Sequence, residues 1–467
     1  MPPNQFCDSA ALMKANEHHE IQHKRYEKEL HIAPMLHYST REFRQLLRIL
    51  SKRVIVWTEM VVDDTIKNAH NLDAHLGYDI EQHPIVCQIG GNSPELCGSA
   101  TSVVLEQYNY DEINLNIDCP SERVSGKREF GAVLMKKAEL AYKIISEMQS
   151  NAAKKNSNDG EIITNKVSVK CRIGVDELDD LDFAAGFIRT LKPVCKRFYL
   201  HARKCVLDGL MNARQNRNVP ALNYQRVYEL CRLFPDCEFW INGGIKTLKE
   251  AKLIAYGRRE VDGSSSNNEN QQHMVPCQLC GLPNGSCIEP PFISPDNLRG
   301  CMMGRAAIDN PCLFYDVDRY FYGEKSNPCR NRGEVLNRYC QYLEQRYPRR
   351  CCGDGDSARN RYCTICIGVY GPSECSDSDT STLILDFTTT TDNNKDKSKK
   401  PKYTGPTMAR CLKPVQGMFS GIPDTRVWRR VCDTLGQDKR IRNCGPAYVI
   451  RRAMQSIPRE ILDQDFG

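Results

Sequence analysis

The sequence has no long apolar run. Nowhere in its 467 residues is there anything near the roughly 20 consecutive apolar positions a membrane-crossing helix needs, so a membrane-embedded protein is excluded and no membrane partner is expected. Residues 1–29 lack the apolar centre of a secretory signal, and Glu17, Glu20, Glu27 and Glu29 among their basic residues argue against an acid-poor mitochondrial leader. A soluble, cytoplasmic monomer is the expectation. Tandem repeats are missing too. An excess of either charge is nearly absent: 64 Lys and Arg stand against 58 Asp and Glu, a net +6, so composition alone does not call for nucleic acid. Cysteine, at 24 residues, is about one in twenty, below the ~8–10% of a disulfide scaffold. Without a secretory signal those cysteines read as reduced thiols. A hydrophobic share of 40% and a charged share of 26% exclude wholesale disorder and collagen-like classes.

What charge there is has a place. Residues 321–352 hold seven Lys/Arg against three Glu, and residues 407–467 hold eleven against six Asp/Glu. Those segments together carry +9, which leaves −3 for the rest of the chain. Positive charge gathered in the last third is how a module for a polyanion looks. On charge alone, a solvated helical surface would look the same.

At about 150 residues per domain, the length suits two to three domains or one large α/β domain with an appendage. Short β-branched or aromatic runs occur at 32–35, 54–60, 85–90, 112–118, 167–173, 198–203, 238–243 and 301–305. Helical patterns at 42–50, 93–108, 134–148, 181–191, 224–234 and 248–256 separate most of them. Eight strands alternating with helices predict an α/β fold, a (β/α)8 TIM barrel rather than an open sheet. Polar segments at 151–166, 258–299 and 354–406 read as surface insertions or disordered linkers. Basic helical stretches at 333–347 and 409–457 flank the last of these and should pack as one C-terminal all-helical domain. The expected organisation is an N-terminal extension (1–28), a barrel (29–322) with insertions at 151–166 and 258–299, and a helical domain (323–467) with a disordered insertion at 354–406.

A barrel carries its function at the C-terminal ends of its strands. Those ends read Pro34-Met35, Glu59-Met60, Gln88, Asn116 and Cys119, Lys170 and Arg172, His201 and Arg203, Asn242-Gly243-Gly244, and Gly304-Arg305. Gly243-Gly244 and Gly304-Arg305 follow the seventh and eighth strands, where barrels commonly bind phosphate through backbone N–H groups. Arg305 could add a charge-assisted hydrogen bond. Lys170, ending the apolar run V-S-V-K-C-R-I-G, needs an anion. That anion is either a neighbouring carboxylate such as Glu59 or a cofactor ring that becomes anionic on reduction. His201 is open between an ordinary hydrogen-bonding histidine and a contact to cofactor phosphate or ring. Cys119, in N-L-N-I-D-C-P-S, stands apart from the other cysteines by position. A thiol with an ordinary pKa near ~8.5 suits a proton donor better than a nucleophile; an inert structural thiol is the alternative. Cys277-x2-Cys280 with Cys287, and Cys351/Cys352 with Cys363-x2-Cys366, have zinc-like spacing. Both groups lie in insertions and the first offers only three thiols, so no metal is expected.

Ten segments together resemble the tRNA-dihydrouridine synthases. They are I-A-P-M-L (32–36), T-E-M-V (58–61), H-P-I-V-C-Q-I-G-G (83–91), Y-D-E-I-N-L-N-I-D-C-P-S-E-R-V (110–124), F-G-A-V-L-M (130–135), V-K-C-R-I-G (169–174), H-A-R-K (201–204), I-N-G-G-I (241–245), M-M-G-R-A (302–306) and Q-G-M-F-S-G-I-P-D-T-R-V-W-R-R (416–430). The run following His201 and the last segment are most similar to the bacterial "A" branch. The resemblance implies an FMN-containing barrel plus a helical tRNA-binding domain, reducing uridine in tRNA to 5,6-dihydrouridine with NADPH. It implies FMN contacts from Ala33, Pro34, Met35, Gln88, Lys170, His201, Asn242, Gly243, Gly244, Gly304 and Arg305. Cys119 would protonate C5 of the uracil after hydride reaches C6, and Asn116 would orient the base. Arg203, Lys204, Arg214 and Arg217 would lie near the tRNA, and the branch points to a D-loop uridine near position 20. The chain departs from the family pattern at His37, where Asp is usual, at Cys205, where Ala is common, and in a slightly longer segment after Val124. Two other readings are a flavin barrel acting on a small pyrimidine or enone, which would not need the basic helical tail, and a non-catalytic RNA-binding protein, which would not need the thiol, the lysine and the Gly pairs.

Overall fold

The computed structural model describes residues 27–120, 129–156, 166–207, 214–257, 294–347, 407–423, 425–438 and 445–466. The insertion at 354–406, nearly all of that at 258–299, and both cysteine groups considered for zinc lie outside the described residues. Chain contacts divide the protein into two units, Met1–Cys329 and Arg330–Gly467.

The first unit is built on eight strands: β1 (Glu29–Ile32), β2 (Val56–Val62), β3 (Ile85–Gly90), β4 (Glu112–Ile117), β5 (Val167–Arg172), β6 (Arg197–His201), β7 (Glu238–Asn242) and β8 (Leu298–Met303). All pair in parallel, in the order β1-β8-β7-β6-β5-β4-β3-β2. The two ends of that order meet. His31 stands opposite Ile55, the Ile32 N–H donates to the Ile55 carbonyl, and the Ile55 N–H donates to the Leu30 carbonyl, both at 2.9 Å. The sheet is therefore a closed barrel, as the alternation of strands and helices predicts.

Helices α1 (Arg41–Leu50), α2 (Pro94–Tyr108), α3 (Ala138–Asn156), α4 (Leu181–Leu191), α5 (Tyr224–Leu233), α6 (Leu248–Tyr256) and the short α7 (Arg305–Asp309) follow the strands. Between β2 and β3 there are only short helical pieces, at Asp63–Asn68, Asp73–Leu76 and Ile80–Gln82. Local chemistry sets the helix starts. Ser93 caps α2 by accepting from the Leu96 N–H with Pro94 at the first helical position, Asp180 caps α4, and Thr247 with Glu250 forms a capping box on α6. The strands are buried on both faces. In β4 the apolar Ile113, Leu115 and Ile117 are fully buried toward the helical layer. The intervening Glu112, Asn114 and Asn116 make polar bonds across the barrel interior.

Several boundaries differ from the sequence reading, among them the first strand, expected at 32–35, which ends at Ile32. The stretch at 134–148 is a 3-10 turn at Gly131–Lys136 followed by α3, which runs through Asn156 into the supposed insertion at 151–166. Apolar Ala152, facing inward on α3, is buried and keeps the helix going. β8 starts at Leu298, inside the supposed 258–299 insertion, because Gly300 belongs to the strand: a Cβ there would lie 1.9 Å from the Glu29 carbonyl oxygen. The unit also extends past 322, since Asn327 bonds Asp316 and Arg319, and the Cys329 thiol bonds the Ile49 carbonyl.

The second unit is helical: α8 (Arg332–Arg346), α9 (Met408–Leu412), α10 (Val427–Gln437), α11 (Gly445–Met454) and α12 (Arg459–Asp463). Its core joins Leu336, Tyr339 and Leu343 of α8 with Trp428 of α10 and Val449 and Ile450 of α11. Two buried polar tips find backbone partners: Tyr339 donates to the Cys411 carbonyl and Trp428 to the Val415 carbonyl, each at 2.9 Å.

Candidate active site

The barrel is plugged below its mouth. Tyr199 stacks on Trp240 with ring centroids 4.5 Å apart, and Trp57 meets Tyr199 edge-on at 4.8 Å. The Trp57 indole N–H donates to His31 Nδ1, so His31 carries its proton on Nε2 and gives it to Glu29, which also accepts from Trp240. On the floor, Glu112 accepts from Ser168 and Tyr199 and pairs with Arg197. This filled lower half confines any ligand to the upper rim.

Above the plug an amide chain climbs to the rim. Asn114 donates to Ser168, Gln88 donates to Asn114 at 3.0 Å, and Asn116 donates to Gln88 at 2.8 Å. The chain's two ends decide the orientation of these amides. At the top, Asn116 Oδ1 accepts the Asp118 and Cys119 backbone N–H groups, at 3.3 and 3.1 Å. At the bottom, the Ser168 hydroxyl is committed as donor to the Glu112 carboxylate, so its oxygen is left to accept from Asn114. Asn116 therefore holds the backbone from which Cys119 projects, and the Cys119 carbonyl in turn accepts from Ala132.

Beside this chain lies a buried charge cluster. Register places Asn116 opposite Lys170, Arg172 opposite His201, and His201 opposite Asn242. Asp118, two residues beyond Asn116, faces the same interior. Its carboxylate pairs with the Lys170 ammonium and accepts from Arg172 Nε at 2.7 Å and His201 Nδ1 at 3.1 Å. Burial alone would raise the Asp118 pKa, but Lys170, Arg172 and His201 hold it well below the ordinary carboxylate range. Burial and the Arg172 charge push His201 down to about 3, against the upward pull of Asp118. His201 is thus neutral at physiological pH. Arg172 is further fixed by the Lys204 and Asn216 carbonyls, both at 3.0 Å.

The glycine positions complete the rim. Gly243 and Gly244 have φ of +113° and +75°, a region that favours glycine, and a Cβ on Gly243 would lie 2.8 Å from the His201 ring. Tyr224 fixes this turn by donating to the Gly243 carbonyl at 2.5 Å. Asn242 donates to the Met302 carbonyl at 2.8 Å. Gly304 precedes α7, on which Arg305 bonds Asn218 at 3.0 Å. Across the mouth, the Ala33 N–H bonds the Met303 carbonyl, and the Ser39 hydroxyl ties together the Met35 N–H and the Ala33 carbonyl around Pro34.

The proposed partnership of Lys170 with Glu59 is corrected: Glu59 accepts the His37 backbone N–H at 2.5 Å, while Lys170 meets Asp118. His37 has φ +64°, so its backbone turns into that bond. The basic residues behave differently from one another. Arg203 donates to the Pro220 carbonyl and keeps its Nε buried without a hydrogen-bond partner. Lys204 is taken up by the Asp176 carbonyl and by Asp179. Arg214 and Arg217 are exposed. Partial burial of its head group, with the Arg305 and Arg172 charges, weakens the proton affinity of the Arg217 guanidinium, the mark of cations crowded at the mouth. Asp118 is the central residue that sequence reasoning passed over. Its signal was available in the period-two series Glu112, Asn114, Asn116, Asp118 along one strand face.

Every described cysteine except Cys119 is buried, and burial drives thiols such as Cys87 and Cys205 up to about 12. Cys119 alone, among the described residues, combines partial exposure with a place at the barrel mouth. Those residues contain no group of His, Cys, Asp and Glu that could hold a metal ion, and no helix among them is long and apolar enough to cross a membrane.

Residues 31–257 match the family model described as dihydrouridine synthase. A tRNA-dihydrouridine(20/20a) synthase of Vibrio cholerae is 33% identical over 318 residues, covering 68% of this chain and 80% of the relative. The chain belongs to the dihydrouridine synthase family. Enzymes of the same name from Yersinia pestis and Escherichia coli are 34% and 36% identical, over 67% and 62% of this chain and 75% and 72% of theirs. Among solved structures, an old yellow enzyme homologue from Zymomonas mobilis aligns at TM-score 0.37 and 11% identity, over 64% of this chain and 89% of its own. That distance adds nothing to the barrel seen directly in the strand order. As a family member the chain is an enzyme, and the rim of polar side chains around Cys119 is its candidate active site.

Proposed function

We propose that the protein reduces a D-loop uridine of tRNA, near position 20, to 5,6-dihydrouridine, with FMN as cofactor and NADPH as electron donor. The observation that carries this reading is a half-exposed thiol next to a buried, cation-rich rim in a member of this family. The names of the relatives, with their 20/20a positions, support the choice of uridine. The rim fits a flavin phosphate and ring. A Cβ on Gly243 would press on the His201 ring at 2.8 Å, so glycine keeps that part of the cradle clear, and Gly304 would meet nothing closer than 3.6 Å even with a side chain. Ala33, Pro34, Met35, Gln88, Lys170, His201, Asn242, Gly243, Gly244, Gly304 and Arg305 would hold the cofactor.

Bound FMN, once reduced, supplies the hydride taken up at C6 of the uracil. The chain's own residues do the rest. Cys119 gives its thiol proton to C5. Asn116, whose carbonyl is spent on the Asp118 and Cys119 N–H groups, fixes that thiol's backbone and orients the base through the remaining amide hydrogen. The plug of Trp57, Tyr199 and Trp240 limits how far a base can enter, so the target nucleotide must be turned out of its stack into the mouth. Arg203, Arg214 and Arg217 would meet tRNA phosphates, with the basic helices of the second unit adding salt-dependent affinity.

Purified protein, NADPH and an unmodified tRNA transcript test this, with nucleoside mass analysis reading the gain of two hydrogens on uridine. In Cys119→Ala the rate should fall by about 10²–10⁴-fold, the usual worth of a positioned acid, while tRNA affinity stays. Loss of binding and reduction together would remove Cys119 from its assigned role. Bleaching of the flavin by NADPH without any gain on tRNA would point to a small substrate instead.

A further inference from the structure

Asp118 belongs to the loop that carries Cys119, yet its carboxylate lies among the cations of the cofactor cradle. Its backbone N–H is held by Asn116 and its side chain joins Lys170, Arg172 and His201. Arg172 has two backbone carbonyls as further partners. The Lys170 ammonium has three N–H donors, and among the described residues it donates to Asp118. The cations are shielded, Lys170 and Arg172 at 3% and 2% exposed, while the Asp118 side chain is 16% exposed. With His201 neutral, Lys170, Arg172 and Asp118 sum to one positive charge, and removing the carboxylate would leave two.

We propose that Asp118 is the resident counter-ion of the flavin site, holding Lys170 in place and keeping one negative charge beside the ring, so that bound flavin has a lower reduction potential and, once reduced, is a stronger hydride donor. This inference rests on the reading that FMN binds at this rim. Fixed positive charge stabilises the reduced, anionic ring and makes it a poorer donor, and in a site shielded from water the effect of one charge is large. Donor strength matters here because the C5=C6 bond of uracil is conjugated with the ring carbonyls and amides and accepts hydride reluctantly. In the overall step a hydride, one proton with two electrons, goes to C6, the Cys119 proton goes to C5, and the cofactor ends oxidised. Asp118 takes no part in these bond changes. It is a positioning residue that sets the energy at which they occur.

The test is a spectroelectrochemical titration of the FMN-loaded protein. In Asp118→Asn the reduced-to-oxidised ratio at a fixed potential should rise at least tenfold, a shift of about 30 mV for a two-electron couple. Asp118→Glu, which keeps the charge, should stay within threefold of the wild type. A flavin-loaded Asp118→Asn protein whose ratio moves less than threefold overturns the proposal, and so does an equal shift in both variants. Should Asp118→Asn not fold, the charge-balanced pair Asp118→Asn with Lys170→Met replaces it. That pair should titrate within threefold of the wild type, whereas Lys170→Met alone should move at least tenfold in the opposite direction; a tenfold departure by the pair refutes the idea. Wild-type protein that takes up no FMN would refute the flavin reading itself, a result distinct from a bound flavin with an unmoved potential.

Discussion

His201 makes the barrel mouth sensitive to acid. Its imidazole is 7% exposed, and its pKa in the folded protein is about 3, lowered by burial and by Arg172. In the unfolded chain an ordinary histidine titrates near ~6.5. Between those values the unfolded state binds a proton that the folded state refuses, so stability rises with pH across that window. The contribution is complete above pH ~6.5 and is lost as pH falls toward ~3. At pH 5 the loss amounts to about 2 kcal/mol, from about 1.5 pH units at 1.36 kcal/mol each. At a urea slope of about 3 kcal/mol per molar, the unfolding midpoint should drop by about 0.7 M between pH 7.5 and pH 5. Tryptophan emission can follow it, because Trp57 and Trp240 both lie in the barrel plug. A Trp428→Phe background removes the signal of the second unit. In His201→Asn, which keeps a hydrogen-bond donor for Asp118 but cannot take a proton, the pH-dependent part of that drop should shrink by about 2 kcal/mol. An identical drop in both proteins would refute the assignment of a neutral, buried His201.

Two further outcomes can be measured directly. Gly300→Ala should lower stability by more than about 3 kcal/mol, because φ is +154° and the new Cβ would lie 1.9 Å from the Glu29 carbonyl oxygen at the β1–β8 pairing. The melting temperature should fall by about 6–12 °C, and a change below ~2 °C would mean that the seam yields more readily than its geometry implies. Arg217→Ala should weaken tRNA binding and reduce the salt slope by about one ion. Lys204→Ala should leave both nearly unchanged, since Lys204 is engaged by Asp176 and Asp179. The reverse ranking in binding across a salt series would reject the division between these two residues.

Much of the barrel was legible because parallel strands buried on both faces read as apolar or β-branched runs, and the turns that separate them are polar. Strand ends were legible for the same reason, which put Gln88, Asn116, Lys170, His201 and Asn242 in view together. The limits of β8 were not, because Gly300 interrupts the apolar run, and the reason for a glycine there is the Glu29 backbone of a strand more than 250 residues earlier. The extent of α3 was also hidden, since its last turns are mostly polar and only Ala152 marks the inward face.

The partner of Lys170 shows where local reading ends. A lysine closing a buried strand demanded an anion, and that demand follows from the residue type alone. Which carboxylate answered it depended on register: Asn116 stands opposite Lys170, so Asp118 reaches the ammonium, while Glu59 is turned to the His37 backbone. The exposure of Cys119 among the described cysteines was likewise decided in three dimensions, by which strand faces and helices cover the other described ones. The sequence by itself determined the alternation of strands and helices, the chemistry available at the strand ends and the family, because these rest on residue type and spacing along the chain. Only the tertiary structure decided how that chemistry is wired. Charge pairing and proton affinity depend on distance and burial, and closing the barrel sets both by bringing strands far apart in the chain into register.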